Sequence, residues 1–294
     1  MNLVSHVYAD GDIMQAWLDH YVRLGITCFD LVLHGPEADN ATVLGLRDRY
    51  PIVIHEMYGG AFINAEKKRR LDRVLAGLRD QWLLLVDSDE FLELPAPSLG
   101  ETIRLLERTG TDALSAPMLQ RIRADGSLGS PAVIPDPFRE FPLCSWNLYA
   151  LMSVKAPVSK FPLFYCRSGT EMTESGNHYP PAGCVATPEI LQGVSHHFKW
   201  RSVVLDRLRR RAEAPTRTVD HSGGFLDYLE RHGRRLPVQD AFPGTREELV
   251  RRRLLRRPSS AQVVAQRLRR ATRSLPPGVQ DVLGRVYRTL RRRR

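Results

Sequence analysis

Four short apolar segments, separated by stretches of helical periodicity, restrict what this chain can fold into more than any other feature. "LVSHVY" (3–8), "FDLVLH" (29–34), "IVIHEM" (52–57) and "WLLLV" (82–86) read as strands. Between the first two, Ile13, Met14, Trp17, Leu18, Tyr21 and Val22 fall on one face of a helix, with Gly25 as its C-terminal stop. A helix near 40–49 and another carrying Leu71, Val74, Leu75 and Leu78 fill the other gaps. Strand and helix alternate with a repeat of about 25 residues, which predicts an α/β fold with a mostly parallel, helix-covered sheet. A capping box, "SLGE" (98–101), opens a further helix, whereas nine prolines between 117 and 181 exclude long helices there. Short strands and loops are expected in that stretch, with helix returning at 202–214.

The fourth strand has an unusual exit. "WLLLVDSDEFLEL" (82–94) runs from core-type residues straight into Asp87, Asp89 and Glu90. Carboxylates packed at the end of a buried strand cost desolvation and mutual repulsion unless a positive charge sits between them. Two carboxylates spaced D-x-D reach one divalent ion from a turn, and oxygen donors favour Mn²⁺ or Mg²⁺, which keep positions open for substrate phosphates. Parallel α/β sheets bind ligands beyond the carboxyl ends of their strands, where this motif falls. The expected cofactor is therefore Mn²⁺ or Mg²⁺, with Asp87 and Asp89 as ligands.

The motif and its surroundings resemble the family 2-like glycosyltransferases of the A-type nucleotide-sugar fold, in the branch whose strand ends in D-x-D-E-F. The resemblance spans roughly residues 1–210. "MQAWLDHYVRLGITCFDLVLHG" (14–35) is similar to that branch's EW-x-x-YH-x-x-LG helix and second strand, and "HHFKWRS" (196–202) to its closing His-aromatic segment. The resemblance implies a catalytic domain over 1–240, with a Rossmann-like nucleotide-sugar half (1–115) and an acceptor half (116–240); the arginine content marks 241–294 as a separate helical tail. By the same resemblance, Asp87 and Asp89 would contact the metal and the donor's phosphates or ribose, with Glu90 beside them. His196 or His197 would be the late histidine at the metal and diphosphate. The chain reads "HVYADGD" where the family commonly has Asn-Glu, and "HGPEADN" where it carries a D-x-x-S-x-D-like turn. Glu37 or Asp39 would then replace the acid on the nucleobase side.

Other residues are candidates on their own chemistry. Neighbours in an extended segment point opposite ways, so only one of His196 and His197 should face the site, and His197 is favoured. Lys67, Lys68, Arg69 and Arg70 precede the acidic strand; Lys67 and Arg70 are candidates to hold the diphosphate through charge-assisted hydrogen bonds, against a solvated helix face. Lys160, Arg201 and His178 are weighed in the same way. An inverting transfer needs a carboxylate base near the acceptor hydroxyl. Glu171, Glu174 and Asp206 are open choices; Glu174 joins Asp89 and Glu90 in the expected catalytic set.

The net charge of +10 is concentrated at one end: residues 251–294 hold fifteen Arg and one acid, Asp281, leaving residues 1–250 at −4. Val279, Val282, Leu283, Val286, Tyr287 and Leu290 form one apolar helical face beside these arginines, which suits either an anionic bilayer or docking on the body. No nucleic-acid motif accompanies the arginines, so no specific nucleic-acid partner is expected. Cys28, Cys144, Cys166 and Cys184 show no C-x-x-C spacing and read as reduced structural thiols. Residues 1–12 lack a basic segment followed by an apolar core, and no apolar run approaches the roughly 18 residues of a membrane span. The sequence thus predicts a cytoplasmic glycosyltransferase, peripheral on the inner membrane, with a nucleoside diphosphate sugar as donor and a glycan or lipid-linked acceptor. The alternatives are a non-catalytic membrane adaptor and an Asp-nucleophile phosphotransferase; Phe91 and the lack of a later acidic partner argue against the latter. Deleting 258–294 should abolish sedimentation with anionic liposomes, and unchanged sedimentation would remove the membrane role.

Overall fold

The computed structural model describes residues 1–129, 133–154, 159–173, 176–186, 192–212 and 222–255, without the side chains of 37–39. Its first half alternates as the periodicity predicts: β1 (Asn2–Tyr8), α1 (Met14–Arg23), β2 (Cys28–His34), α2 (Glu37–Leu44), β3 (Ile52–Tyr58), α3 (Asn64–Gly77) and β4 (Gln81–Leu85). β1 lies between β2 and β4, parallel to both, and β2 pairs in parallel with β3. The two faces of these strands bury different side chains, because successive residues point opposite ways. Leu3, Val7, Leu31, Leu33 and Leu84 pack with Met14, Trp17, Leu18 and Tyr21 of α1. Val4, Val32, Leu83 and Leu85 pack with Leu71, Val74 and Leu75 of α3. A helix therefore covers each face, and Gly25, at φ +96°, turns the chain out of α1 in a conformation that L-residues avoid.

The second half adds β5 (Glu90–Glu93), α4 (Leu99–Thr109), β6 (Ala113–Ile122), α5 (Pro137–Glu140), β7 (Leu143–Ser145), α6 (Leu148–Leu151), β8 (Ser159–Cys166), β9 (Val194–His197), α7 (Val204–Ala212), α8 (Ser222–Arg231), β10 (Phe242–Pro243) and α9 (Arg246–Arg251). Ser98 caps α4 by accepting a hydrogen bond from the Glu101 amide at 3.2 Å. Between the prolines the described helices, α5 and α6, are four residues each. β8 enters antiparallel between β4 and β6, giving the order β10-β7-β6-β8-β4-β1-β2-β3. β5 pairs antiparallel with β9, which runs parallel to β6. The α/β architecture is thus a mixed sheet, parallel from β4 to β3 and largely antiparallel beyond. A second apolar core, including Met118, Tyr149, Trp200, Leu208 and Phe225, joins β6, α6, α7 and α8.

One feature differs from the sequence expectation. The three acids do not share one strand end: β4 stops at Leu85, and Glu90 opens β5, leaving Asp87 and Asp89 in the intervening turn. The turn is held by its own bond from the Glu90 amide to the Asp87 carbonyl (3.0 Å) and by α1. Trp17 Nε1 donates to the Asp87 and Glu90 carbonyls (3.2 and 3.0 Å), and the Tyr21 hydroxyl donates to the Glu90 carbonyl (2.9 Å) while accepting from the Leu92 amide (3.1 Å). Beyond residue 240, β10 pairs with β7, and Leu249 and Leu255 are buried with Leu119 and Cys144. The basic amphipathic helix expected around 279–290, within the proposed membrane segment 258–294, lies outside the described residues. Among the described residues no helix is long and apolar enough to cross a membrane. Replacing Tyr21 with Phe should strand a buried amide and lower stability by about 1–3 kcal/mol in urea titration, and a change within error would refute this account of the turn.

Candidate active site

A cavity of about 310 Å³ opens beyond the carboxyl ends of the parallel strands. One wall is His6, Tyr8 and Asp10 from the end of β1 with Phe62 and Lys67; the floor is the turn 87–90; the far wall includes Met118, Lys160, His178 and His197; and α7 closes it with Arg207 and Arg211.

The positive charge that the acids require is supplied from within the chain. Asp87 receives Lys67 Nζ on Oδ1 (2.6 Å) and Lys160 Nζ on Oδ2 (3.1 Å). Burial pushes the Asp87 carboxyl up, but the two lysines outweigh it and hold it far below the usual carboxylate range. Lys160, itself buried, also donates to the Gly176 carbonyl (2.5 Å) and lies 2.7 Å from Glu90 Oε1, an ion pair without hydrogen-bond alignment. Although burial alone would lower it, Asp87 and Glu90 raise the Lys160 pKa and keep the ammonium charged. Burial raises the Glu90 carboxyl, Lys160 opposes that rise, and Asp87 reinforces it. Asp89 lies 3.4 Å from His197 Nε2 and 3.6 Å from Arg207; these groups outweigh its burial and depress its pKa.

Behind the turn, Arg201 is fully buried. It pairs with Asp10, reaches Asp12 at 2.8 Å and donates to the Phe198 carbonyl. Asp10 also accepts from Ser88 Oγ (2.5 Å) and Arg207 (2.6 Å). The acidic turn after β1 and the acidic turn after β4 are thereby tied through one serine, Ser88, and one guanidinium, that of Arg207.

Asp89, Glu90 and His197 each offer a ligand atom, all within 4.8 Å of one another. His197 turns Nε2 towards Asp89, while its Nδ1 is buried with no hydrogen-bond partner among the described residues. The two carboxylates are the oxygen donors that Mn²⁺ or Mg²⁺ takes, so Asp89 and Glu90 fit the group, with His197 beside them. Asp87 lies instead between its lysines. His196 faces away, with Nε2 3.3 Å from Glu93 and Nδ1 accepting from Arg121 Nε at 3.2 Å, because alternate residues of β9 project to opposite sides. Arg70 does not line the cavity: it pairs with Glu56 of β3 and stacks over Tyr58 at 3.8 Å. Asp206 is exposed and pairs with Arg209, and Glu171 is exposed. Glu174 lies outside the described residues, as do the side chains of Glu37 and Asp39.

The sequence reading missed Asp10, Asp12, Arg207 and an aromatic cluster. Tyr8, His34 and Tyr58 are the last residues of β1, β2 and β3, and the parallel register sets them side by side. His34 stacks on Tyr58 with centroids 4.1 Å apart, His6 Nε2 meets the Tyr58 hydroxyl at 2.7 Å, and Arg211 lies 3.8 Å over Phe62. Aligning the ends of the strands would have grouped these aromatics, and the "ADGD" after the first strand would have joined the acids.

No family model matches the chain, and no curated protein matches it. Among solved structures it is similar to residues 1–349 of S. aureus TarS in complex with UDP-GlcNAc, at 12% identity over 79% of this chain and 72% of that one, with a TM-score of 0.37. It is also similar to a Bacillus anthracis protein assigned as a glucose-1-phosphate thymidylyltransferase, at 11% identity over 76% and 98% of the two chains, with a TM-score of 0.33. Likeness at this level leaves the reading of the site to its own geometry.

The buried histidines give the fold a pH dependence. Burial lowers His20 and His196 to about 4 and His178 to about 3, and lowers His6 as well. In the unfolded chain they titrate near 6.5, so from pH 6.5 down to 4 the unfolded state binds more protons and stability falls with pH. Asp10 and Glu90, raised by burial, oppose this in part. Urea midpoints should drop between pH 7 and pH 5, at about 2 kcal/mol per fully buried histidine. A midpoint that holds or rises would contradict neutral burial of these rings.

Proposed function

We propose that this chain is a glycosyltransferase that uses Mn²⁺ or Mg²⁺ to move a sugar from a nucleoside diphosphate donor to a glycan or lipid-linked acceptor. The observation that carries the reading is the convergence, in one cavity at the strand ends, of the Asp89–Glu90–His197 set with Lys67, Arg207 and Arg211 beside aromatic rings. The rings of Tyr8 and Phe62 offer a stacking surface for a nucleobase. Lys67, Arg207 and Arg211 are placed to pair with phosphate oxygens, by charge-assisted hydrogen bonds that a neutral sugar would not need. Asp89, Glu90 and His197 would hold the cation, which when bound neutralises the diphosphate leaving group.

In the transfer, the acceptor hydroxyl oxygen bonds to the anomeric carbon as that carbon's bond to the diphosphate breaks, and the hydroxyl proton passes to a carboxylate. The base for that proton is a carboxylate outside the cation's ligand set, since a carboxylate that holds the cation has its lone pair taken and its pKa lowered. The apolar wall of Met118, Tyr149 and Phe225 excludes water on the acceptor side. A thermal-shift screen of nucleoside diphosphates with and without Mn²⁺ should find at least one metal-dependent rise in melting temperature. Asp89→Asn and Glu90→Gln should fold yet lose about a hundredfold or more in turnover. If no nucleotide raises the melting temperature in the presence of metal, the transferase reading fails.

A further inference from the structure

Arg207 occupies a distinct place in the charge balance around the turn. Asp10, Asp12, Asp87, Asp89 and Glu90 face Lys67, Lys160, Arg201 and Arg207, leaving a single net negative charge. Lys67 and Lys160 serve Asp87 and Glu90, while Arg201, with no exposed surface, serves Asp10 and Asp12. Among the described residues, Arg207 is the only Lys or Arg paired with Asp89, and it bridges Asp89 to Asp10.

The two guanidiniums differ in how firmly they are held. Arg201 is locked by two carboxylates and a backbone carbonyl. Arg207 projects from α7 at the cavity wall, and its partner Asp10 stays satisfied by Arg201 and Ser88 if Arg207 departs. Its departure would strand no buried charge except that of Asp89, the carboxylate that the candidate metal set needs. A guanidinium also matches the fork geometry of phosphate oxygens, giving it somewhere better to go.

We infer that Arg207 is a built-in placeholder cation: it neutralises Asp89 in the empty site, yields that carboxylate to an incoming divalent ion, and turns to the donor's diphosphate. The inference rests on the metal-binding part of the proposed function and adds a coupling between cation and nucleotide. By linkage, each ligand then strengthens the other through the same side chain.

The test measures Mn²⁺ binding without nucleotide, by calorimetry and by the paramagnetic signal of free Mn²⁺, in the unmodified protein and in Arg207→Gln. Removing the competing charge should tighten Mn²⁺ by about tenfold, the order expected of one partly screened unit charge. The same variant should weaken nucleoside diphosphate binding at saturating Mn²⁺ by about tenfold, the opposite sign. A merely structural salt bridge would weaken both. Unchanged or weaker Mn²⁺ binding in Arg207→Gln, beside normal binding in the parent, overturns the placeholder role and leaves the metal reading standing. Absence of Mn²⁺ binding in both proteins overturns the two together. Should Arg207→Gln fail to fold, the parent protein decides: the Arg207 Nε–H resonance must shift on adding Mg²⁺ alone, and an unmoved resonance refutes the exchange.

Discussion

Everything at this site depends on burying carboxylates beside one another, which is tolerable only when cations are brought to them. Lys67 comes from α3, Lys160 from β8, Arg201 from the segment after β9 and Arg207 from α7. The acids themselves follow β1 and β4. The parallel half of the sheet therefore cannot complete its acidic turns without the antiparallel half, and neither half is electrostatically closed alone. Removing one partner of such a buried pair typically costs about 3–5 kcal/mol, because the charge left behind has no solvent.

The backbone of the turn is secured separately from its side chains. Trp17 and Tyr21 of α1 grip its carbonyls from one side, and Asn177 Nδ2 holds the Leu85 carbonyl at 2.9 Å from the other. The indole and phenol remain mostly apolar bodies packed in the core, so their single polar atoms reach the turn without opening the interior to water. This division leaves the carboxylates free to be tuned by charge alone. Asp87 is fixed by two lysines, Asp89 faces a histidine and a replaceable guanidinium, and Glu90 is buried with a raised pKa. Three neighbouring acids thus take three different chemical characters from their surroundings.

Local pattern made much of this visible in advance. Alternation of apolar strands and amphipathic helices set the α/β order, because periods of two and 3.6 follow from backbone geometry alone. The helix face of Trp17 and Tyr21, the cap at Ser98, the proline-limited helices and the acidic exit of β4 were all legible as near-neighbour chemistry. The alternation of His196 and His197 was legible for the same reason.

Pairings between distant segments could not be read that way. That Lys160, 73 residues beyond Asp87, would sit between it and Glu90 follows from β8 inserting antiparallel beside β4. That Arg201 would reach back 191 residues to Asp10 follows from β9 pairing with β5. The clustering of Tyr8, His34 and Tyr58 comes from parallel register, which places three strand ends at one level. The sequence by itself determined which residues would be strand, helix and acidic turn, since those depend on neighbours along the chain. Only the tertiary structure decided which cations answer those acids, since charges interact through space and the sheet order sets that distance.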